Sequence, residues 1–138
     1  MAEAVFSSVV KERGMASEFN IDSAGTSSFH IGSNPDSRSK ATCQKHGVPM
    51  KHKGRQIKQH DFTSFDYILC MDESNLQNLL SMKPRGSKSV VKLFGDFDPK
   101  GERIIEDPYY GGPEGFEHNF DQVSRCSEGF LEYLEGSN

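Results

Sequence analysis

The length, charge and cysteine content of the chain limit the kinds of protein that it can be. Its 138 residues carry a net charge of −4, which argues against nucleic acid or an anionic membrane as the main partner. Since we find no long apolar run, secretory signal or lipidation motif, we expect one cytoplasmic domain over residues 1–138. Three widely spaced cysteines, with no metal-spaced Cys/His cluster, suit reduced thiols and predict no metal and no cofactor.

The first half of the chain predicts two helices separated by a short strand. A helix is expected over residues 2–13, ended by Gly14, although nothing before it can cap its first amides. Residues 19–24 predict a short strand followed by a polar loop, and residues 36–46 predict a helix that ends at Gly47. The densest basic cluster is interpreted as a solvated face and consists of Lys51, Lys53, Arg55 and Lys58.

The second half continues this alternation of helices and strands. The elements predicted there are an extended segment at 56–58, a helical turn at 61–65 capped by Asp61, a strand at 67–71, a helix starting at Asp72 or Ser74 and closed by Pro84 and Gly86, a strand at 90–94 and a helix at 115–134. The run at 67–71 is continuously apolar, which is typical of a strand buried on both faces of a parallel sheet. The whole pattern indicates an open parallel α/β sheet whose leading strand is missing.

Residues 104–112, Ile-Ile-Glu-Asp-Pro-Tyr-Tyr-Gly-Gly, bring an acid, a rigid turn and two aromatic rings together. Pro108 has a fixed φ and biases Asp107 away from helix, so the carboxylate is held in a defined place. Tyr109 and Tyr110 offer flat, partly polar faces of the kind that line a cleft for an aromatic group. From these residues alone, a turn whose tyrosines simply cover the surface remains an open alternative.

Several sequence blocks together resemble the low-molecular-weight protein tyrosine phosphatase (acid phosphatase) family. The blocks are Met-Ala-Glu-Ala-Val-Phe at 1–6, Ile-Asp-Ser-Ala-Gly-Thr-Ser at 21–27, His-Gly-Val-Pro at 46–49, Phe-Asp-Tyr-Ile-Leu-Cys-Met-Asp-Glu-Ser-Asn at 65–75 and Ile-Glu-Asp-Pro-Tyr-Tyr-Gly-Gly at 105–112. The resemblance covers essentially the whole chain. It implies a three-layer α/β fold with an open, four-stranded parallel sheet of the flavodoxin-like type, whose first strand is missing here.

The resemblance also implies a reaction, the hydrolysis of phosphotyrosine or small aryl phosphates through a cysteinyl-phosphate. In that family a thiolate in a C-x5-R loop attacks phosphorus, while the amides and arginine of the loop hold the phosphoryl oxygens. The matched residues are the general acid Asp107, the cleft walls Phe29, Tyr109 and Tyr110, and the phosphate-loop supports Ser23 and His52. A turn-forming role for Ser23 and a surface role for His52 stay open as alternatives.

The chain departs from the family in one essential respect, because it contains no C-x5-R motif. The residues six positions after the three cysteines are Pro49, Leu76 and Glu132. In relatives the missing loop comes immediately before the helix that begins here at residue 2, so the resemblance implies that this chain is truncated at its N-terminus. A start codon assigned too late and a natural shortened form both stay open as explanations. Since loss of a catalytic nucleophile costs about a millionfold in turnover, this chain is expected to be inactive as given.

Two other functions remain as alternatives. One is a non-catalytic, partner-binding or regulatory protein of the same lineage, phosphorylated on Tyr109 or Tyr110, whose acidic neighbours Glu106 and Asp107 suit some kinases. The other is a thiol-dependent arsenate reductase, since such enzymes are similar in fold and phosphate loop. Those enzymes need closely spaced redox cysteines, which Cys43, Cys70 and Cys126 do not provide.

Overall fold

The computed structural model of the protein describes residues 1–25, 37–50, 55–106 and 113–136. Its elements are, in chain order, α1 (Ala2–Glu12), a 3-10 helix (Ala16–Glu18), α2 (Ser37–Lys45), α3 (Asp61–Ser64), β1 (Tyr67–Cys70), α4 (Glu73–Met82), β2 (Val90–Leu93), a second 3-10 helix (Phe94–Phe97) and α5 (Pro113–Gly136). None of the described helices is both long enough and apolar enough to cross a membrane.

β1 and β2 form a parallel pair that lies between two layers of helices. Their register runs from Tyr67 opposite Val90 to Cys70 opposite Leu93. Because successive side chains of a strand point to opposite faces, Tyr67 and Leu69 pack in one apolar cluster, while Cys70 and Ile68 pack in the other. The first cluster is built mainly from α1, α2 and α5, and the second contains Leu79 of α4 and Phe62 of α3. The predicted α/β class is confirmed.

The predicted helix ends agree closely with the observed ones. Gly14 follows α1 with a φ of 70°, and Gly47 follows α2 with a φ of 75°; this left-handed conformation favours glycine. No side chain caps the first turn of α1, as the sequence predicts. Of the two predicted starts for α4, Asp72 is the observed one, since its carboxylate accepts a hydrogen bond of 2.8 Å from the amide of Asn75.

Two local predictions are wrong. Residues 19–24 form no strand, and the structure places only an isolated parallel bridge nearby, between Gly25 and Gln56. A strand requires a hydrogen-bonded neighbour, and among the described residues none pairs with 19–24. Asp61 does not cap α3, because His60 occupies the N-cap position without a side-chain hydrogen bond. The Asp61 carboxylate instead accepts a hydrogen bond of 2.8 Å from the backbone amide of Lys58, outside the helix.

Helix α5 covers one side of the molecule and is longer than predicted. Its buried residues Val123 and Leu131 join the core that α1 and α2 also line. Near its C-terminal end, α5 approaches the second 3-10 helix so closely that a Cβ at Gly129 would overlap the carbonyl oxygen of Phe97. α5 is therefore fixed against the segment that follows β2, where the acidic loop begins.

Candidate active site and its supports

Most residues that the sequence assigns to the active site lie outside the described residues. This is so for Asp107, Tyr109 and Tyr110, and also for Phe29 and His52. Ser23 is described, as is the whole segment that leads up to residue 106. The structure therefore describes the segments next to the predicted site residues: the segment up to residue 106 and the segment that contains Ser23.

Two amide side chains of α5 hold the backbone just before Asp107. Gln122 donates from Nε2 to the carbonyl oxygen of Ile104 at 2.9 Å, and Asn119 donates from Nδ2 to the carbonyl oxygen of Glu106 at 3.2 Å. Both side chains are buried, with exposed fractions of 3% for Gln122 and 7% for Asn119. Buried amides need such partners, because an unsatisfied polar group costs about 1–3 kcal/mol. The last described carbonyl before the predicted acid is therefore fixed to a helix.

Ile105 attaches the same segment to the sheet. Its backbone amide donates to the carbonyl oxygen of Met71 at 2.9 Å, directly after the last residue of β1. The Ile105 side chain is buried in the core formed with α1 and α5. Ile105 therefore lies at the carboxyl end of β1, which is the edge where open α/β sheets bind their ligands.

A buried ion pair anchors the start of this segment. The carboxylate of Asp98 accepts hydrogen bonds from Nε and Nη2 of Arg125 at 3.0 and 3.1 Å, and from the amide of Lys100 at 2.9 Å. Its side chain is fully buried, and the Arg125 guanidinium keeps the pKa of Asp98 below its usual value. Arg125 also lies 3.4 Å from Glu102. Three polar residues along α5, Asn119, Gln122 and Arg125, therefore hold the segment from 98 to 106.

Ser23 lies in the segment at 19–24, next to a network of charged groups. Its amide donates to Oδ1 of Asp22 at 2.8 Å, and Oδ2 of Asp22 accepts from Nε of Arg55 at 2.9 Å. Arg55 also donates twice to Asp61, at 3.0 and 3.1 Å. Desolvation opposes ionisation of Asp61, but the bonds from Arg55 and Lys58 lower its pKa overall. This network fixes the backbone on which Ser23 sits.

The position of Arg55 corrects the interpretation of the basic cluster as a solvated face. Its side chain is 29% exposed and is shared between two carboxylates, and its hydrogen bond to Asp61 raises its pKa. Lys51 and Lys53 lie outside the described residues.

The sequence analysis did not identify the roles of Asn119 and Gln122. Both residues lie close to Phe116 and Val123 on the apolar side of the same helix, and this position could have indicated buried polar side chains that need hydrogen-bond partners.

The three cysteines are all buried thiols. Cys43 and Cys126 have no exposed surface and Cys70 is 5% exposed. Burial raises the pKa of all three, to about 11 for Cys70 and about 12 for Cys126. At neutral pH they are therefore protonated, whereas a nucleophilic cysteine must be a thiolate. The predicted role of Cys70 as a core thiol agrees with this environment.

A family model described as low molecular weight phosphotyrosine protein phosphatase matches residues 1–137. The chain belongs to this family. It is 48% identical over 135 residues to the low molecular weight phosphotyrosine protein phosphatase of Saccharomyces cerevisiae, covering 95% of this chain and 84% of that protein. The human protein of the same name is 46% identical over 134 residues, covering 96% of this chain and 85% of that protein.

Solved structures agree with this assignment. The structure of a protein tyrosine phosphatase from Entamoeba histolytica with Hepes in the active site matches with a TM-score of 0.94 and 33% sequence identity. The match covers 99% of this chain and 88% of that one. The resemblance found in the sequence is thereby confirmed, together with the flavodoxin-like α/β fold that it implied.

Proposed function

We propose that this chain carries the acid and the substrate cleft of a phosphotyrosine phosphatase, and that none of its own cysteines serves as the nucleophile. The substrates of this lineage would be phosphotyrosine in cytoplasmic proteins or small aryl phosphates. Membership of the phosphatase family supports this substrate class. The supported segment before Asp107 provides the structural argument for the acid.

The proposed reaction needs two groups on opposite sides of the phosphoryl group. A thiolate forms a bond to phosphorus while the bond from phosphorus to the phenolic oxygen breaks, and Asp107 gives its proton to that oxygen. Water then attacks phosphorus, releases inorganic phosphate and restores the thiolate. For the second step, Asp107 is expected to accept the proton of the attacking water, because the departure of the phenol has left it ionised.

The environment of the thiols is the observation that carries the proposal. A phosphatase thiolate needs positive charge and hydrogen-bond donors beside its sulfur, which lower the pKa of the thiol. Burial raises the pKa of both Cys70 and Cys126, and nearby carboxylates raise it further. Arg125 acts in the opposite direction on Cys126, but burial and the carboxylates outweigh it. With no C-x5-R sequence, the chain also lacks the arginine that would hold the phosphoryl oxygens.

Turnover of p-nitrophenyl phosphate tests this proposal. The purified chain should be inactive, at about a millionfold below an active relative. A chimaera should be active if a strand and C-x5-R loop of the kind that the family resemblance implies is fused ahead of residue 1. In that chimaera Asp107→Asn should lower kcat by about 10²–10⁴-fold, whereas Asp121→Asn, an exposed acid on α5, should leave it unchanged.

Two results would overturn the proposal. One is turnover by the purified chain alone that disappears in Cys43→Ser, Cys70→Ser or Cys126→Ser. The other is an active chimaera whose rate and pH profile do not change in Asp107→Asn, because the acid would then be another residue.

A second candidate is a non-catalytic role in the same lineage, in which the chain binds a partner protein. The burial of all three cysteine thiols favours it, because none of them is placed to act as a nucleophile. Phosphorylation of Tyr109 or Tyr110 would regulate such a role, because each phosphate adds about 1.5–2 negative charges. Binding that persists in a chain without phosphatase activity distinguishes this role from catalysis.

A further inference from the structure

The turn between α4 and β2 is a basic segment in an acidic chain. Residues 83–89 read Lys-Pro-Arg-Gly-Ser-Lys-Ser, whereas the whole chain carries a net charge of −4. Within the part of the chain that the structure describes, Lys83, Arg85 and Lys88 have no ion-pair partner. Arg85 and Lys88 are also exposed. The positive charge of this turn is therefore available to attract an acidic binding cleft.

The hydroxyl group of Ser87 connects the turn to α3. Its Oγ donates to the carbonyl oxygen of Phe62 at 2.6 Å and accepts a hydrogen bond from the amide of Ser89 at 3.3 Å. The hydroxyl of Ser89 donates to the same carbonyl oxygen of Phe62 at 2.7 Å. The carbonyl group of Phe62 therefore keeps one hydroxyl donor when the side chain of Ser87 turns outward.

Few other hydrogen bonds hold this turn in place. The amide of Ser87 donates to the carbonyl oxygen of Pro84 at 3.2 Å. The amides of Arg85, Gly86 and Lys88 have no acceptor among the described residues. A segment with so few backbone hydrogen bonds opens locally at a small cost in free energy. The half-buried Ser87 can therefore enter the active site of another enzyme while β2 stays folded.

Two neighbouring serines lack this accessibility. Ser81 lies inside α4, where its hydroxyl donates to the carbonyl oxygen of Asn78 at 2.9 Å. Ser89 is only 4% exposed. A modifying enzyme could reach the first only by unwinding α4 and the second only by pulling it out of the core. Of the three serines in residues 81–89, the structure therefore favours Ser87 as the one that another enzyme can modify.

We propose that Ser87 is a phosphorylation site for a protein kinase that selects basic substrates. Charge patterns around the acceptor are one way in which kinases choose their substrates, and Arg85 precedes Ser87 by two positions while Lys88 follows it directly. In the reaction, Oγ of Ser87 forms a bond to the γ-phosphorus of ATP, the bond from that phosphorus to ADP breaks, and the hydroxyl proton passes to the catalytic aspartate of the kinase. This modification is independent of the phosphatase chemistry proposed above.

Phosphorylation changes the contact between the turn and α3. Phosphoserine has no hydroxyl proton to donate to Phe62, and it adds about 1.5–2 negative charges. These charges would lie beside the carbonyl oxygen of Phe62, which repels them. Arg85 and Lys88 attract the phosphate instead, because a phosphate forms strong hydrogen bonds with cationic side chains. The modified turn therefore separates from the end of α3.

Mass spectrometry of the full chain tests the assignment of the site. After incubation with ATP and the catalytic subunit of cyclic-AMP-dependent protein kinase, phosphate should be found on Ser87 and not on Ser81 or Ser89. Arg85→Gln should lower the initial rate at least about tenfold, since a hydrogen bond to a charged group is worth about 1.5–3 kcal/mol. Lys100→Gln is the matched control, because Lys100 is an exposed cation in a different turn and should leave the rate unchanged.

Hydrogen exchange tests the structural effect of the modification. Exchange at residues 61–65 should be faster by about tenfold or more in the phosphorylated chain, whereas α5 should be unchanged. Ser87→Ala removes the hydroxyl donor without adding charge, and Ser89 still bonds to Phe62 in that variant. It should therefore accelerate exchange at 61–65 less than phosphorylation does.

Three results would overturn the proposal. The first is a chain that carries no phosphate on Ser87, or carries it on Ser81 or Ser89 instead. The second is an equal rate for wild type and Arg85→Gln, which would mean that the basic residues do not select the kinase. The third is unchanged exchange at 61–65 in the phosphorylated chain. The first result is obtained with the unaltered chain, so it decides the matter even if Ser87→Ala fails to fold.

Discussion

Replacement of Asp98 by asparagine tests how strongly the segment that leads to the acidic loop is anchored. The substitution keeps the size of the side chain but removes the charge that pairs with Arg125. Asp98 is fully buried and Arg125 is 20% exposed, so the remaining guanidinium would be partly desolvated without its partner. Breaking a buried pair from one side costs about 3–5 kcal/mol, whereas an exposed pair is worth about 0–1 kcal/mol.

We expect Asp98→Asn to lie near the lower end of that range, at about 3 kcal/mol. Asparagine keeps one oxygen that can still accept a hydrogen bond from the amide of Lys100 or from Arg125, which limits the loss. Against a typical free energy of unfolding of about 5–15 kcal/mol, this is a large effect. Urea denaturation followed by far-ultraviolet circular dichroism measures it, with Asp121→Asn as the exposed control on the same helix.

The pH dependence gives an independent check. Arg125 lowers the pKa of Asp98 in the folded protein, so the pair stabilises fully above the unfolded pKa of about 3.9. This stabilisation is lost as the pH falls through the lower pKa of the folded state. The difference between wild type and Asp98→Asn should therefore be constant from about pH 5 to 7 and shrink below about pH 4. A difference under about 1 kcal/mol at pH 7, or one that is unchanged at about pH 2, would refute this reasoning.

Three further predictions concern packing, thiol chemistry and helix capping. Gly129→Ala should lower the free energy of unfolding by about 3 kcal/mol, because its Cβ would overlap the carbonyl oxygen of Phe97, whereas Gly136→Ala, with open space around it, should have little effect in the same urea titration. In the native protein the three buried cysteines should react with iodoacetamide far more slowly at pH 7 than in urea; equally fast labelling, followed by mass spectrometry, would contradict their burial. Asp72→Ala should cost about 1 kcal/mol through loss of the α4 cap, and an unchanged unfolding midpoint would argue against that cap.

The sequence predicted those elements whose signals are local. The apolar run at 67–71 gave β1, and Asp72 was one of two proposed starts of α4 because a carboxylate before a helix can bond its first amides. The strand predicted at 19–24 was wrong because a strand depends on a neighbour that local sequence does not specify. Ladder pairing is a property of two segments, so one segment alone cannot establish it.

The candidate site was predicted from the family resemblance, and not from local sequence patterns. Ser23 and the residues of the acidic loop came from the family resemblance, and their roles stay predictions. The supports in α5 were missed because a polar residue such as Gln122 has no meaning until its partner, the carbonyl oxygen of Ile104, is known. Arg55 was misinterpreted for the same reason, since its carboxylate partner Asp61 reaches it only after the chain has turned.

The contacts that α5 makes through Asn119, Gln122 and Arg125 have a consequence for how related sequences can differ in length. The three residues are spaced by three positions along a helix that turns by about 100° per residue, so their side chains lie on nearly the same side of the helix. All three can reach the segment at 98–106 only if the helix keeps its rotation about its own axis. A single-residue insertion between 119 and 125 would rotate the later contacts away from the segment at 98–106. We expect substitutions within this stretch to be tolerated more often than insertions or deletions, which should occur instead in the exposed turn at 99–101.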